Sequence, residues 1–293
     1  MEGDVRRLVD ASARAARRAG RHLMENSGRG ADARAKAGTH EHDVVTELDA
    51  AVEAMISADL TAACPGSAVI GEEGGARGVG GGAASDVRWY VDPIDGTHNF
   101  ARGLPLFCVS IGLTVDGVPA GGCVYEPARD ELYTATAERI LRNGRPVERP
   151  PERAVPMILT DLPRAGTAAD PAELELFTRL LAAADVRRIG SSALALAYVA
   201  TGRADMAVTP DAFPWDYAAG RVLVTASGGA FTTVPDEPPV PDEPPAPDGP
   251  SPTRPGAFAA WRPGLADLGA AVVESLDKFA FLRDWREDDN GLA

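Results

Sequence analysis

The sequence predicts an α+β fold with two dissimilar halves: an N-terminal antiparallel α+β half over residues 1–150 and a C-terminal α/β half over residues 151–293. The first half contains three strand-like segments in "CVSIGLTVDGVPAGGCVYEPARDELYTATA". They are joined by Asp-Gly and Pro-Ala-Arg-Asp turns, which is typical of an antiparallel meander. From about residue 150 strand-like and helical patterns alternate instead, as in α/β proteins. At 293 residues and 45% hydrophobic composition, the chain can bury a large core.

The first half begins with a predicted helix over residues 4–26, because apolar residues recur there at helical spacing between arginines. A β-branched run in "DVVTELDAAVEAMISADLTAAC" leads into a second helix, which carries Asp49 in its first turn. "SAVIGEE" is predicted to be a short buried strand, and "VRWYVDPIDGT" a strand that runs into a turn. Residues 74–85 are predicted to be a flexible loop, since their loose GxGxxA pattern lacks the lysine of a phosphate loop.

The second half alternates between the two element types. Strands are predicted at "VPMILTDL", "VRRIG" and "ADMAVTP", and helices at "PAELELFTRLLAAA", "SSALALAYVATG" and "WDYAAGRVLVTASGG". Residues 235–255, with the near-repeat "PDEPPVPDEPP", are predicted to be a disordered acidic insertion, because this composition cannot pack a core. A final helix is predicted over residues 265–283.

Composition excludes several classes of protein. A formal charge of -14 and a pI near 4.7 argue against a nucleic-acid partner, which needs a basic surface. No stretch reaches the roughly 18 apolar residues of a membrane span, so no membrane partner is expected. Cys64, Cys108 and Cys123 are spaced like neither a disulfide framework nor a thiolate metal site, which favours a reducing compartment. We therefore expect a cytoplasmic protein.

Four acidic stretches stand where a strand or loop meets a helix. They are "DVVTELD", with Asp43 and Asp49, "IGEEG", with Glu72 and Glu73, "DPIDGT", with Asp92 and Asp95, and "PWDYAAG", with Asp216. Any one of them is explained by helix capping or turn formation. Together they provide many carboxylate oxygens without a Cys or His cluster, and Mg²⁺ prefers such oxygen ligands.

The stretch "DPIDGT" is stiffened by its proline. Pro93 restrains Asp92 to an extended conformation, so the turn can direct Asp92, Asp95 and the carbonyl of Ile94 toward one space. Gly96 and Thr97 then begin a short helical segment, whose N–H groups can bind an anion. Metal ligands and a phosphate site are therefore predicted within six residues.

The ordered set "DVVTELD", "GEEG", "WYVDPIDGTHNF", "LPLFCVSIGL" and "WDYAAGRVLVTASGG" resembles the inositol monophosphatase family, within the wider group of Mg²⁺-dependent, lithium-sensitive phosphatases. The resemblance covers roughly residues 5–232 and the last helix. It implies a layered αβαβα fold, phosphoric monoester hydrolysis and a homodimer.

The resemblance also implies the roles of individual residues. Glu72, Asp92 and the carbonyl of Ile94 would hold a first Mg²⁺. A second would be held by Asp92, Asp95 and Asp216, and the family has room for a third ion near Glu72. In such a site one ion lowers the pKa of a water and the other stabilises the leaving oxygen. Thr97, hydrogen-bonded to Asp49, would position that water, and the N–H groups of Gly96 and Thr97 would bind phosphate.

Substrate contacts are less conventional in this chain. By resemblance, members that act on inositol phosphates carry a glutamate seven positions before the "WD" aspartate, whereas this chain has Thr209. Either Asp211 replaces that glutamate as hydroxyl acceptor, or the substrate is not an inositol phosphate. By resemblance Gly190 and Ser191 line the sugar side of the pocket. His98 either contacts substrate or is an exposed histidine, and Lys36 is either the family's lysine or a surface residue. After "YTATA" the usual glycine-rich hairpin is predicted to be missing.

The leading hypothesis is a Mg²⁺-dependent phosphomonoesterase acting on a small phosphorylated metabolite such as a polyol, sugar or nucleoside phosphate. One alternative is a bisphosphatase acting on fructose bisphosphate or NADP. The other is a non-catalytic regulatory member of the family, which would bind a protein partner through the proline-rich tract.

Overall fold

A mainly antiparallel sheet of eight strands forms the larger layer of the protein. The computed structural model describes residues 2–26, 34–35, 44–45, 47–77, 86–166, 168, 170–235, 256–279 and 282. Lys36, Asp43 and the proline-rich tract from residue 236 to 255 lie outside these residues. The strands are β3 (Ala68–Gly71), β4 (Gly75–Arg77), β5 (Val87–Asp95), β6 (Cys108–Val115), β7 (Val118–Glu126), β8 (Glu131–Thr136), β9 (Arg139–Arg142) and β10 (Arg145–Pro146). A separate pair, β1 (Arg34–Ala35) and β2 (Val44–Val45), precedes them.

The order of strands in the large sheet is β10-β9-β8-β7-β6-β5-β3-β4, and only the β3–β5 pair is parallel. The predicted meander is β6–β7–β8. The prediction that the usual glycine-rich hairpin is missing after "YTATA" was only partly right, because β9 and β10 pair across a two-residue turn that contains one glycine. Asn143 and Gly144 form this turn with φ values of 49° and 75°, and Asn-Gly is the preferred pair for such a hairpin.

A second sheet of five strands belongs to the later part of the chain. It consists of β11 (Met157–Thr160), β12 (Asp185–Arg187), β13 (Met206–Ala212), β14 (Ala230–Val234) and β15 (Gly256–Trp261), in the order β12-β11-β13-β15-β14. β11 runs parallel to both of its neighbours. β14 and β15 flank the proline-rich tract and were not predicted. The predicted boundary near residue 150 falls between β10 and β11, and the division into two domains stays a prediction.

Helices cover both sheets and separate them. The α-helices are α1 (Glu2–Asn26), α2 (Glu47–Ala63), α3 (Thr97–Ala101), α4 (Pro171–Ala183), α5 (Ser192–Ala200), α6 (Pro214–Ala226) and α7 (Ala266–Leu276). The outer face of the large sheet packs against α1 and α2, and its inner face packs against α5 and α6. The outer face of the small sheet is covered by α4 and α7. The layered αβαβα fold is therefore confirmed. No helix in the described ranges is long and apolar enough to cross a membrane.

The middle helical layer lies unusually close to the large sheet. A Cβ atom on Gly112 of β6 would stand 2.4 Å from the Cβ of Ala218 and 2.8 Å from the backbone nitrogen of Ala219. Any side chain at position 112 would therefore push α6 away from the sheet. This close approach brings the first turn of α6, which carries Asp216, toward the end of β5.

A partly buried ion pair joins β8 to the segment after α5, and it predicts a pH-dependent stability. Arg203 donates a hydrogen bond to Glu131 from each of its terminal nitrogens, at 2.5 and 2.7 Å. These hydrogen bonds lower the pKa of Glu131 from 4.5 to about 2. A carboxyl whose pKa is depressed by folding stabilises the protein above its unfolded pKa, and the stabilisation is lost as pH falls toward 2.

We expect Glu131→Gln to lower the free energy of unfolding at pH 7 by about 1–2 kcal/mol. The difference from the wild type should shrink as pH falls from 5 toward 2, measured by urea unfolding. Glu148→Gln, at an exposed position, is the matched control and should change little at any pH. A deficit that is independent of pH would contradict the assigned ion pair.

Candidate active site

A bulge at the end of β5 arranges the "DPID" residues. Asp92 lies opposite Ser110 on β6, and Asp95 lies opposite Cys108. β5 therefore advances by three residues where β6 advances by two, which places one extra residue in β5. Pro93 is accommodated because a bulge does not require its missing N–H group. The backbone N–H of Ile94 donates to Asp92 Oδ1 at 3.0 Å, which fixes that carboxylate within the turn.

The turn continues through a glycine that no other residue could replace without strain. Gly96 has a φ of 96°, and a Cβ there would stand 2.8 Å from the carbonyl oxygen of Leu106. Asn99, the third residue of α3, donates hydrogen bonds through Nδ2 to the carbonyls of Leu106 and Ile189, each at 2.7 Å. Sequence reasoning did not identify Asn99, which holds the turn against the loop that precedes α5.

Asp95 reaches across to the N-terminus of α5. Its Oδ2 accepts a hydrogen bond from Ser191 Oγ at 2.7 Å and one from the backbone N–H of Ala193 at 2.6 Å, and its Oδ1 accepts one from the N–H of Ser192 at 3.0 Å. These groups are the donors that a helix leaves unsatisfied at its first turn. Asp95 therefore caps a helix of the second half from a strand of the first, and Ser191 lies directly beside it.

The predicted hydrogen bond between Thr97 and Asp49 is present in the structure. Thr97 Oγ1 lies 3.0 Å from Asp49 Oδ1 and 2.8 Å from the carbonyl oxygen of Ile94. Because a hydroxyl has one proton, it donates to one of these acceptors at a time and keeps lone pairs for another donor. Asp49 is fully buried in the first turns of α2, which fixes its position.

Glu72 stands at the end of β3, in a turn held by a second acid of α2. Glu53 accepts hydrogen bonds from the backbone N–H groups of Glu73, at 2.7 Å, and Gly74, at 2.9 Å. Glu53 was not predicted as part of the site. It follows Asp49 by four positions, so both lie on one face of α2, and this spacing was the signal available in the sequence.

Asp216 is the third residue of α6, and its Oδ2 accepts the backbone N–H of Phe213 at 2.6 Å. Trp215 stacks on Phe213 with ring centroids 4.9 Å apart, and its carbonyl accepts a hydrogen bond from Ser110 Oγ at 3.3 Å. Ser110 lies opposite Asp92 on the neighbouring strand. The start of α6 is therefore fastened next to the bulge of β5.

The carboxylates brought together here repel one another. Burial raises the pKa of Asp92 well above its usual range, and the charges of Glu72, Asp95 and Asp216 raise it further. Burial also raises the pKa of Asp216 well above its usual range, with contributions from Glu72 and Asp95. In Asp95 burial raises the pKa, while the bonds from Ser191 and the α5 backbone oppose the shift.

Such a cluster fits a divalent cation by its chemistry, since the predicted ligands are hard oxygens with no thiolate or imidazole among them. A cation would remove the mutual repulsion of these acids. Among the described residues, no three acidic, His or Cys side chains are spaced as a closed metal site. Asp95 and Asp216 instead each direct an oxygen toward backbone N–H groups.

A polar cleft of about 360 Å³ opens beside this cluster. Of the predicted substrate contacts, His98, Gly190 and Asp211 line it, and so does Thr209. The cleft also contains Asp161, Arg164 and Arg188, which sequence reasoning missed. They lie after β11 and β12, at the ends of parallel strands whose pairing could not be deduced from local patterns.

Comparisons with known proteins agree on one family. Residues 4–257 match the inositol monophosphatase family. The Nus factor SuhB of Pasteurella multocida is 36% identical over 226 residues, which are 76% of this chain and 83% of the relative. Among solved structures, the extragenic suppressor protein suhB of Bartonella henselae is similar to this chain, with a TM-score of 0.75, 28% identity, and 92% of this chain and 98% of that one covered.

A staphylococcal IMPase-II, solved with inositol monophosphate bound, is also similar. It has a TM-score of 0.68 and 26% identity, with 94% of this chain and 96% of that one covered. The protein belongs to the inositol monophosphatase family.

Proposed function

We propose that the protein is a Mg²⁺-dependent phosphomonoesterase that hydrolyses a small polyol, sugar or nucleoside phosphate. The observation that carries this proposal is the hydrogen-bonded pair Thr97–Asp49 beside a cluster of mutually repelling carboxylates. A hydroxyl oriented by a buried acid can handle a proton, and the cluster has the charge and the oxygen ligands for metal ions.

In this proposal Glu72, Asp92 and the carbonyl of Ile94 would hold a first ion. Asp92, Asp95 and Asp216 would hold a second, and a third would bind near Glu72. Bound Mg²⁺ would supply positive charge to the phosphate oxygens and lower the pKa of a nearby water. Asp95 and Asp216 would have to share their oxygens between the metal and the backbone donors described above, or turn from one to the other.

The protein's own groups orient the reactants. Thr97 Oγ1 accepts a hydrogen bond from the attacking water while it donates to Asp49, and Asp49 takes up the proton relayed through this hydroxyl. The N–H groups of Gly96 and Thr97 bind phosphate oxygens. The alcohol part of the substrate lies in the neighbouring cleft, near His98, Gly190 and Asp211. The water oxygen bonds to phosphorus while the bond from phosphorus to the alcohol oxygen breaks, and the alcohol takes its proton from bulk water, so no covalent intermediate is required.

Phosphate release tests this proposal directly. With Mg²⁺, we expect the purified protein to release inorganic phosphate from at least one member of a panel of polyol, sugar and nucleoside phosphates. We expect EDTA to stop the reaction and lithium to inhibit it. Absence of phosphate release from every ester in the panel, with the protein folded and Mg²⁺ present, would refute the enzymatic function.

A second function is favoured by the names of the relatives. The curated proteins most similar in sequence include several described as Nus factor SuhB, from Pasteurella, Salmonella and Escherichia coli. A regulatory role through a protein partner is therefore the competing proposal for this chain. Deleting residues 236–255 separates the two, since loss of partner binding with unchanged hydrolysis supports docking through the tract.

We also propose a cytoplasmic homodimer. Cys64, Cys108 and Cys123 are all free thiols, as a reducing compartment requires. Light scattering of the purified protein measures its oligomeric state, and a monomer at micromolar concentration would exclude the dimer.

A further inference from the structure

An acidic residue, Asp161, lies beside Thr209 at the end of the strand adjacent to β13. β11 and β13 are parallel neighbours, with Thr160 paired to Val208, and the N–H of Asp161 points to the carbonyl of Val208 at 3.4 Å. Positions 161 and 209 each come one residue after this pair and therefore lie side by side. Both side chains line the cleft beside the carboxylate cluster.

The Asp161 carboxylate is only half satisfied. Its Oδ1 accepts the backbone N–H of Gly190 at 3.2 Å. Its Oδ2 has no hydrogen-bond donor among the residues that the structure describes. Arg188 lies close enough to lower the pKa of Asp161, but it donates its hydrogen bond to the backbone carbonyl of Asp161, at 3.2 Å. One oxygen of a largely enclosed carboxylate is thus left for a ligand.

A purely structural role does not account for this acid. An asparagine or a serine would accept the single long hydrogen bond from Gly190 without the cost of a charge. Burial and the charge of Asp95 both disfavour the ionised form of Asp161 and raise its pKa. A hydrogen-bond donor that arrives with the substrate would explain why a carboxylate stands in this enclosed, negatively charged place.

We propose, on the basis of the phosphatase function proposed above, that Asp161 Oδ2 accepts a hydrogen bond from a hydroxyl of the substrate's alcohol group. Asp161 thereby takes, from the end of β11, the role that the family resemblance implies for a glutamate at position 209. The favoured substrates are phosphate esters of polyols, with hydroxyl groups next to the ester. A site built to bind a hydroxyl discriminates strongly against an analogue that lacks it.

The test compares two esters of the same ring. Inositol 1-phosphate carries hydroxyls on each remaining carbon, whereas cyclohexyl phosphate carries none. Asp161→Asn keeps Oδ1 for Gly190 and replaces Oδ2 by a donor. We expect its kcat/KM for inositol 1-phosphate to fall about 10- to 100-fold, mainly through KM, while kcat/KM for cyclohexyl phosphate changes less than about 2-fold.

An exchange of the two positions provides the matched rescue. Asp161→Thr alone should lose the preference for inositol 1-phosphate, and the double variant Asp161→Thr/Thr209→Glu should regain about 10-fold or more of it. Equal losses on both esters, or no loss on either, would overturn the proposal. A wild-type protein that releases phosphate from no ester would instead refute the phosphatase function.

The unmodified protein provides a test that does not depend on the folding of any variant. We expect wild-type kcat/KM to be about 10-fold or more higher for inositol 1-phosphate than for cyclohexyl phosphate. A ratio near 1 in a wild-type enzyme that hydrolyses both esters would overturn hydroxyl recognition at Asp161. Thermal unfolding of each variant shows whether its fold is intact.

Discussion

Asp92→Asn is expected to lower phosphatase activity by about 10³-fold or more and at the same time to stabilise the metal-free protein. The activity falls because the side chain shared by both proposed ions loses its charge. The stability rises because the substitution removes repulsion with Glu72, Asp95 and Asp216 from a buried position. The amide oxygen still accepts the N–H of Ile94, and the amide nitrogen can donate to Glu72.

The gain in free energy of unfolding in EDTA should be about 1–3 kcal/mol, comparable with the gain seen when a buried ion pair is replaced by well-packed apolar residues. In the wild type without metal, the raised pKa of Asp92 makes stability fall as pH rises above the unfolded value of about 3.9. Added Mg²⁺ should stabilise the wild type and not the variant. Asp185→Asn, at an exposed position, is the control. A variant less stable than the wild type in EDTA would contradict the repulsion.

Local chemistry made the centre of the site predictable. Pro93 and Gly96 constrain the backbone whatever the rest of the chain does, so the turn and the start of α3 could be anticipated from six residues, whereas the bulge at the end of β5 was not predicted. The hydrogen bond between Thr97 and Asp49 was predicted from the family resemblance, and it is present in the structure. The metal and catalytic roles of these residues stay predictions.

What escaped prediction depends on strand order and on contacts distant in the chain. β14 and β15 are short, and the proline-rich tract separates them, so no local pattern revealed that β15 lies inside the sheet. The position of Asp161 beside Thr209 can be inferred only when β11 is known to lie beside β13. The capping of α5 by Asp95 likewise joins residues almost a hundred positions apart.

Asp95 links the predicted metal site to the N-terminus of α5. A carboxylate that serves only as a metal ligand would leave the first turn of α5 to water, but here it bonds Ser191, Ser192 and Ala193. The start of α5 borders the cleft through Gly190 and Ser192. The position of the substrate's alcohol group is thus coupled to the same side chain that is proposed to hold the second ion.

Thr97→Ala is expected to reduce kcat by about 10²–10³-fold while Mg²⁺ still stabilises the protein, because the substitution removes the proton-handling hydroxyl and no proposed metal ligand. Thr97→Ser keeps the hydroxyl and is the matched control, expected to stay within about 10-fold of the wild type. Turnover measured at saturating substrate distinguishes the two variants, and Mg²⁺-dependent melting reports on metal binding. Near-normal turnover of Thr97→Ala would remove Thr97 from the mechanism.

A double-mutant cycle with Asp49 then decides whether the two residues act as one unit. Asp49→Asn alone should lower kcat nearly as much as Thr97→Ala, since in the proposed mechanism the carboxylate receives its proton through the hydroxyl, 3.0 Å away. The double variant should be scarcely slower than either single variant, because residues that act as a unit have non-additive effects on the rate. Additive losses would mean that Asp49 acts independently, as a buried charge near the metals, and that the proton does not pass through Thr97.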